Sequence, residues 1–351
     1  MRTPQDTRGS EVRQYILAQV DGHPHDIAQL TARHFGMTRQ AVNLHLQRLI
    51  ANSDLRRKGN TRSTRFYLAP KKTWHKQYHL ADRNPGQSEH DVWEGDILPQ
   101  LADLPENALD IWRYSFTEMF NNAIDHSGGS RITVRLKRTA FNVEIVIIDN
   151  GVGIFKKIQR AMRLPDARYS PLELAKGKFT TDPKRHTGEG IFFTSKMLDA
   201  FDISSGGVYF AAPSSSETLA TSAPVSKKSP KSEGTAVWMK LRNNATTSRK
   251  EVFDTFASPE NDYAFDKTIV PVKLAEQNPN DLVSRSQAKR LLLRIDRFRT
   301  VVLDFTNVNQ IGPAFADEIF RVFARSHPHV TVQYVSANDE VLRMIKRAQT
   351  A

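Results

Sequence analysis

Apolar positions along the chain change period several times, and each change marks an element or a boundary. Between Glu11 and Val20, the side chains of Val12, Tyr15, Ile16 and Gln19 fall on one helical stripe, which the cluster Asp21-Gly22-His23-Pro24 stops. A second helix over about 26–34 ends at Phe35-Gly36, and Thr38 is placed to cap a third that carries Val42, Leu46 and Leu49. Residues 54–68 then alternate as a hairpin with Gly59-Asn60 at its tip, and 75–96, with Asn84-Pro85-Gly86, is expected as a connector. Helical periodicity returns over 109–126, with Trp112, Phe116, Met119 and Ala123 as core candidates. Residues 131–136 and 142–148 are rich in β-branched residues and predict a strand pair. An apolar helix over 191–198, a strand near 208–210 and a returning strand from Gly234 come next. The Ser, Ala, Pro and Lys-rich stretch 211–233 is expected as a long hairpin insertion. After a polar linker near 243–261, strands (268–274, 300–305, 329–335) alternate with helices (284–298, 314–324, 337–347), which argues for a largely parallel sheet.

Length and composition fit this division. A chain of 351 residues is long enough for three domains, expected at 8–75, 105–242 and 262–351 with a connector over 76–104. With 39% hydrophobic and 25% charged residues, each can bury an ordinary core. No apolar run is long enough to cross a bilayer and the first ten residues are polar, so a cytoplasmic location without membrane contact is expected. The absence of cysteine excludes disulfides, thiolate metal sites and cysteine nucleophiles. The net charge of +12 is concentrated at the start: residues 1–80 hold 14 Lys and Arg against 5 Asp and Glu. A polyanion partner would meet that segment first.

Double-stranded DNA is the expected partner there. Arg39, Gln40 and Asn43 lie near the start of the third helix, with His45 and Gln47 further on, and such side chains can read base edges in a major groove. Arg56, Arg57, Lys58, Arg62 and Arg65 surround the hairpin and suit phosphates. The pattern over about 8–70 resembles the winged helix-turn-helix domains of bacterial transcription regulators. The alternative is a small dimerisation or docking domain whose charges only solvate it.

The central segment holds a second kind of chemistry. Glu118 and Asn122 are one turn apart on a helix, a carboxylate beside an amide oxygen, suited to orienting water and to ligating Mg²⁺ with phosphate oxygens. Asp149 ends a strand and is followed by Asn150-Gly151-Val152-Gly153; its carboxylate can accept a hydrogen bond from an adenine amine while the glycines let backbone approach. Gly188-Glu189-Gly190 leads into a helix N-terminus, which offers amides to phosphates. Gly234-Thr235 opens the last strand. Together, Glu118 to Ala123, Asp149 to Gly153, Gly188 to Gly190 and Gly234-Thr235 resemble, in order, the boxes of the GHKL family of gyrase, Hsp-type chaperone, histidine kinase and MutL ATP-binding domains. The resemblance implies a Bergerat α/β sandwich, a mixed sheet with helices on one face. It also implies ATP with Mg²⁺ held by Asn122, adenine read by Asp149 with Thr235, and a lid over about 155–187. Lys178, Lys184 and Arg185 are lid cations, open equally to a phosphate contact and to plain solvation.

Histidine kinases of that family usually carry Asn where this sequence has Glu118, and no phospho-acceptor helix precedes the domain, so histidine kinase activity is disfavoured. The stretch from Asp304-Phe305 through Gly312-Pro313-Ala314 to Glu318 resembles a bacterial STAS-like domain, but Gly312, Pro313 and Ala314 stand where anti-anti-sigma domains place a phosphorylated serine. Docking of a protein partner is the simpler role expected for it. The fold expected is thus α/β and multidomain: winged helix, GHKL sandwich, small STAS-like domain. The function expected is a DNA-binding regulator switched by Mg-ATP with slow hydrolysis. A serine kinase or anti-sigma-like switch, and an ATPase of a phage-defence or mobile-element system, stay open as alternatives, as does a homodimer.

Overall fold

The computed structural model describes residues 4–60, 63–80, 88–180, 187–212, 233–258, 264–276, 278 and 282–350, with backbone only for 4–7. The chain divides into two compact units, residues 1–153 with 194–248 and residues 154–193 with 249–351.

The first unit opens with three helices, α1 (Pro4–Gln19), α2 (Ile27–Phe35) and α3 (Arg39–Ala51). Local chemistry sets their ends. Gly36 closes α2 in the left-handed region at φ 62°, and Thr38 Oγ1 accepts the Ala41 amide at 3.2 Å to cap α3. α1 starts at Pro4 rather than Glu11, because its first residues are polar and leave no periodic trace. Val12, Ile16, Val20, Ile27, Val42, Leu46 and Leu49 share one core with Leu55 and Leu68 of an antiparallel hairpin, β1 (Leu55–Lys58) and β2 (Arg65–Leu68).

The expected connector is largely structured. β3 (Pro70–His79) pairs along the main sheet, and α4 (Glu89–Val92) and α5 (Leu98–Leu101) flank a π turn that buries Trp93 and Ile97. β3 was hidden because it is an edge strand: Lys71, Lys72, His75, Lys76 and His79 are exposed, the usual guard against edge pairing. Asn84-Pro85-Gly86 lies outside the described residues.

α6 (Glu106–His126) buries Trp112, Phe116, Met119 and Ala123, as the periodicity predicts. β4 (Arg131–Thr139) and β5 (Asn142–Asp149) form the expected antiparallel pair. The chain then passes through α7 (Ile154–Met162), α8 (Ser170–Lys176) and α9 (Gly190–Met197) before β6 (Ala200–Ser205), β7 (Val208–Ala211) and β8 (Ala236–Arg242). The six strands run in the order β3-β4-β5-β8-β6-β7, and every ladder is antiparallel, not mixed. β5 and β6 do run in one direction, but β8 returns between them and pairs antiparallel with both. Of the insertion expected over 211–233, residues 213–232 lie outside the described residues.

The second unit continues with α10 (Arg249–Phe256), β9 (Ala257–Ser258), β10 (Ala264–Phe265), β11 (Lys267–Pro271), α11 (Arg285–Leu292) and β12 (Thr300–Asp304). α12 (Pro313–Asp317) runs through a π turn into α13 (Ala324–Ser326), followed by β13 (Thr331–Val335) and α14 (Asp339–Thr350). β11, β12 and β13 form the expected parallel sheet. α10 occupies the expected polar linker. Val252 and Phe256 bury there, and Phe253 stacks on Phe193 at 4.2 Å between ring centres.

α8 is buried from Ser170 to Lys176. Lys176 Nζ reaches Glu173 at 2.7 Å, and donates to the carbonyls of Arg290 and Leu293 at 3.1 and 3.0 Å. Arg294 Nη1 meets the other oxygen of Glu173 at 3.2 Å, and Thr268 Oγ1 donates to the Lys176 carbonyl at 2.8 Å. α8 and the C-terminal sheet are one packed body.

Candidate functional site

The first unit brings the adenine-side candidates together. β5 delivers Asp149 to its C-terminal end, and β8, its neighbour, starts just after Thr235. Asp149 Oδ1 accepts the amides of Gly151 at 2.8 Å and Thr235 at 3.2 Å, and the Asp149 amide donates to the Thr235 carbonyl at 2.9 Å. Both of these backbone bonds to the carboxylate fall on one oxygen. Burial pushes the Asp149 carboxyl above the usual aspartate range, and the amides and the Thr235 side chain only partly offset it. A carboxylate dried to this degree fits a ligand donor such as an exocyclic amine, which would relieve it.

The glycines hold this end of the sheet tight. A Cβ on Gly151 would lie 2.1 Å from the Ser127 carbonyl oxygen, and one on Gly234, at φ +110°, would lie 2.2 Å from the Asp149 carbonyl oxygen. Gly153 is also left-handed, at φ +92°, and sits against Ser205, whose hydroxyl donates to the Gly234 carbonyl at 2.7 Å. The Val152 amide donates to Ser127 at 2.9 Å, and Asn150 Oδ1 accepts the amides of Ser130 and Arg131 at 3.0 Å each. These bonds tie the glycine loop to the C-terminal end of α6 and to the start of β4. Ser127 and Ser205 carry no sequence signal, since a serine at an element's end does not announce a distant partner.

α6 packs on β5 and β8, and carries Glu118 and Asn122, both half-buried. The Asn122 carboxamide has no hydrogen-bond partner among the described residues, so its oxygen remains available to a hard cation. The donor set fits a nucleotide with Mg²⁺.

Lys178, Gly188 and Gly190 fall in the second unit. Lys178, at φ +52°, donates to the Arg297 carbonyl at 3.3 Å and lies 4.8 Å from the Phe298 ring centre and 5.4 Å from that of Phe265. Burial pulls its pKa down, with Glu189 and Asp266 opposing, and burial also raises that of Glu189. The Phe179 amide bonds the Gly188 carbonyl at 3.2 Å, while Gly190 begins α9. Lys184, Arg185 and His186 lie outside the described residues.

The basic candidates form a second cluster in the first unit. Arg39, Gln40 and Asn43 are exposed on α3, and Arg56, Arg57, Lys58 and Arg65 are exposed on the β1–β2 hairpin. Arg57 Nη2 donates to Thr64 Oγ1 at 3.4 Å, and none of these five cations forms an ion pair among the described residues. Arg62 lies outside them. At the start of α12, Gly312 is pressed against Val283, and its Cβ would come within 2.7 Å of that backbone.

No helix among the described residues is long and apolar enough to cross a membrane. No curated protein matches the chain. Residues 287–342 match the model of a STAS-like domain of unknown function. Residues 110–245 match the family described as histidine kinase-, DNA gyrase B-, and HSP90-like ATPase, so the chain carries a GHKL-type ATPase domain followed by a STAS-like domain.

Proposed function

We propose that the chain is a DNA-binding regulator whose affinity for duplex DNA is set by Mg-ATP, which it hydrolyses slowly. In this reading Asp149 and Thr235 hold the adenine, Asn122 ligates the metal and Glu118 Oε takes a proton from the attacking water. Magnesium, when bound, neutralises phosphate oxygens. The three N-terminal helices and basic hairpin act as a winged helix, with α3 in the major groove and Arg56, Arg57, Lys58 and Arg65 on phosphates.

One observation supports joining the two activities. β5 and β8 carry Asp149 and Thr235 at one end, and at the other they reach the N-terminal helices: Lys240, 1% exposed, meets Asp21 at 2.8 Å, and Phe141 packs on the helical core. Seven residues of strand span roughly 20 Å, so a rigid pair of strands links nucleotide residues to the DNA-binding segment. The test is the affinity of the full chain for duplex DNA, titrated with and without Mg-ATP at several salt concentrations. A nucleotide-dependent affinity with a steep salt slope is expected. Nucleotide binding without salt-dependent DNA binding would instead favour a switch acting on a protein partner.

A further inference from the structure

The exposed face of α3 has a composition that goes beyond general affinity for DNA. Val42, Leu46 and Leu49 face the core. Opposite them Gln40, Asn43, Leu44 and Gln47 are all exposed, Leu44 at 57%. At about 100° per residue these four fall within an arc of about 100°, and Arg39 and Arg48 lie just outside it on opposite flanks. An isolated surface leucine carries no message. This one forms the Arg48-side edge of a stripe with three carboxamides, no acid and no cation, bounded on each side by an arginine.

Each part of that stripe has a matching group in the major groove. A carboxamide pairs in bidentate fashion with adenine N6 and N7, and an apolar side chain packs on the thymine methyl. Guanine is read best by Arg or Lys, and here the arginines flank the stripe, on the sides where the groove's two phosphate walls stand. We infer that α3 reads A·T pairs in the major groove, Leu44 against thymine methyls and Gln40, Asn43 and Gln47 on adenines. The inference rests on the DNA-binding reading above.

The test uses the full chain. Sites are selected from a random duplex pool, and affinities for the selected duplex are then measured with thymine replaced by deoxyuridine, which removes only the 5-methyl group. An A·T-rich core is expected, with binding weakened about fourfold for each contacted methyl lost. Leu44→Ala should bind the thymine duplex more weakly by a similar factor and be indifferent to deoxyuridine. Leu44 is exposed, so the substitution leaves the core intact. Salt-dependent binding with a G·C core, or with equal deoxyuridine sensitivity in wild type and variant, overturns the inference and spares the DNA-binding reading. No binding to any duplex overturns both.

Discussion

Asp149 is held where a negative charge is costly. Its native pKa is raised by burial, so at neutral pH the ionised form lowers stability, and that loss is recovered as pH falls through the native pKa. Asp149→Asn removes the charge but keeps an oxygen for the amides of Gly151 and Thr235. Its thermal midpoint should equal or exceed that of wild type, while nucleotide affinity by calorimetry falls at least about tenfold, the value of a charged hydrogen bond. Wild-type affinity should also decline on acidification at a higher pH than an ordinary aspartate would give, a transition absent in the variant. Near-normal nucleotide binding by Asp149→Asn would remove the adenine role. Glu118 separates binding from turnover. Glu118→Ala should keep nucleotide and lose hydrolysis by about a hundredfold to ten-thousandfold, and equal hydrolysis rates would leave Glu118 without the proton role. These two carboxylates were legible because each stands in a short run with its neighbours. Ser127 and Ser205 were not, because Ser127 acts through its own carbonyl, which accepts the distant Val152 amide, and Ser205 through a hydroxyl that donates to the distant Gly234 carbonyl.

Elements with a strong period were legible to within three residues at each end, α6 and the β4–β5 pair above all. Those that failed to announce themselves depend on distant partners. β3 takes its register from β4, and α8, a seven-residue helix, is buried by the C-terminal sheet. Lys176 and Arg294 share Glu173, which is 1% exposed, and burial lowers the pKa of both cations. Glu173→Gln leaves the buried Lys176 and the partly buried Arg294 without a counter-charge and should lower stability by about 3–5 kcal/mol in urea unfolding. Breaking the exposed Lys250–Asp254 pair by Lys250→Ala should cost less than about 1 kcal/mol. Similar losses in the two variants would mean that the buried triad is no fastening.

At the scale of the molecule, the pairings that define the two units are the ones a local reading cannot reach. Lys240 finds Asp21 across 219 residues, and Arg294 finds Glu173 across 121. If Mg-ATP and DNA act on one equilibrium, the factor by which nucleotide changes DNA affinity must equal the factor by which DNA changes nucleotide affinity. Fluorescence anisotropy and calorimetry on the full chain should return the same ratio, and unequal ratios would exclude a shared equilibrium. The packing of residues 154–193 with 249–351 has a further consequence, for how such chains can be cut and rejoined. The ATPase match ends at residue 245, yet part of that matched span keeps its apolar side chains dry only against residues C-terminal to it. A chain ending at 248 would leave Phe192 and Phe193 without Phe253, Phe256 and Phe265. The two halves are therefore not beads on a string. Gene rearrangement can exchange the C-terminal half only for one that offers the same seat to α8, and a protease that nicks the link after β8 should leave two fragments that stay together.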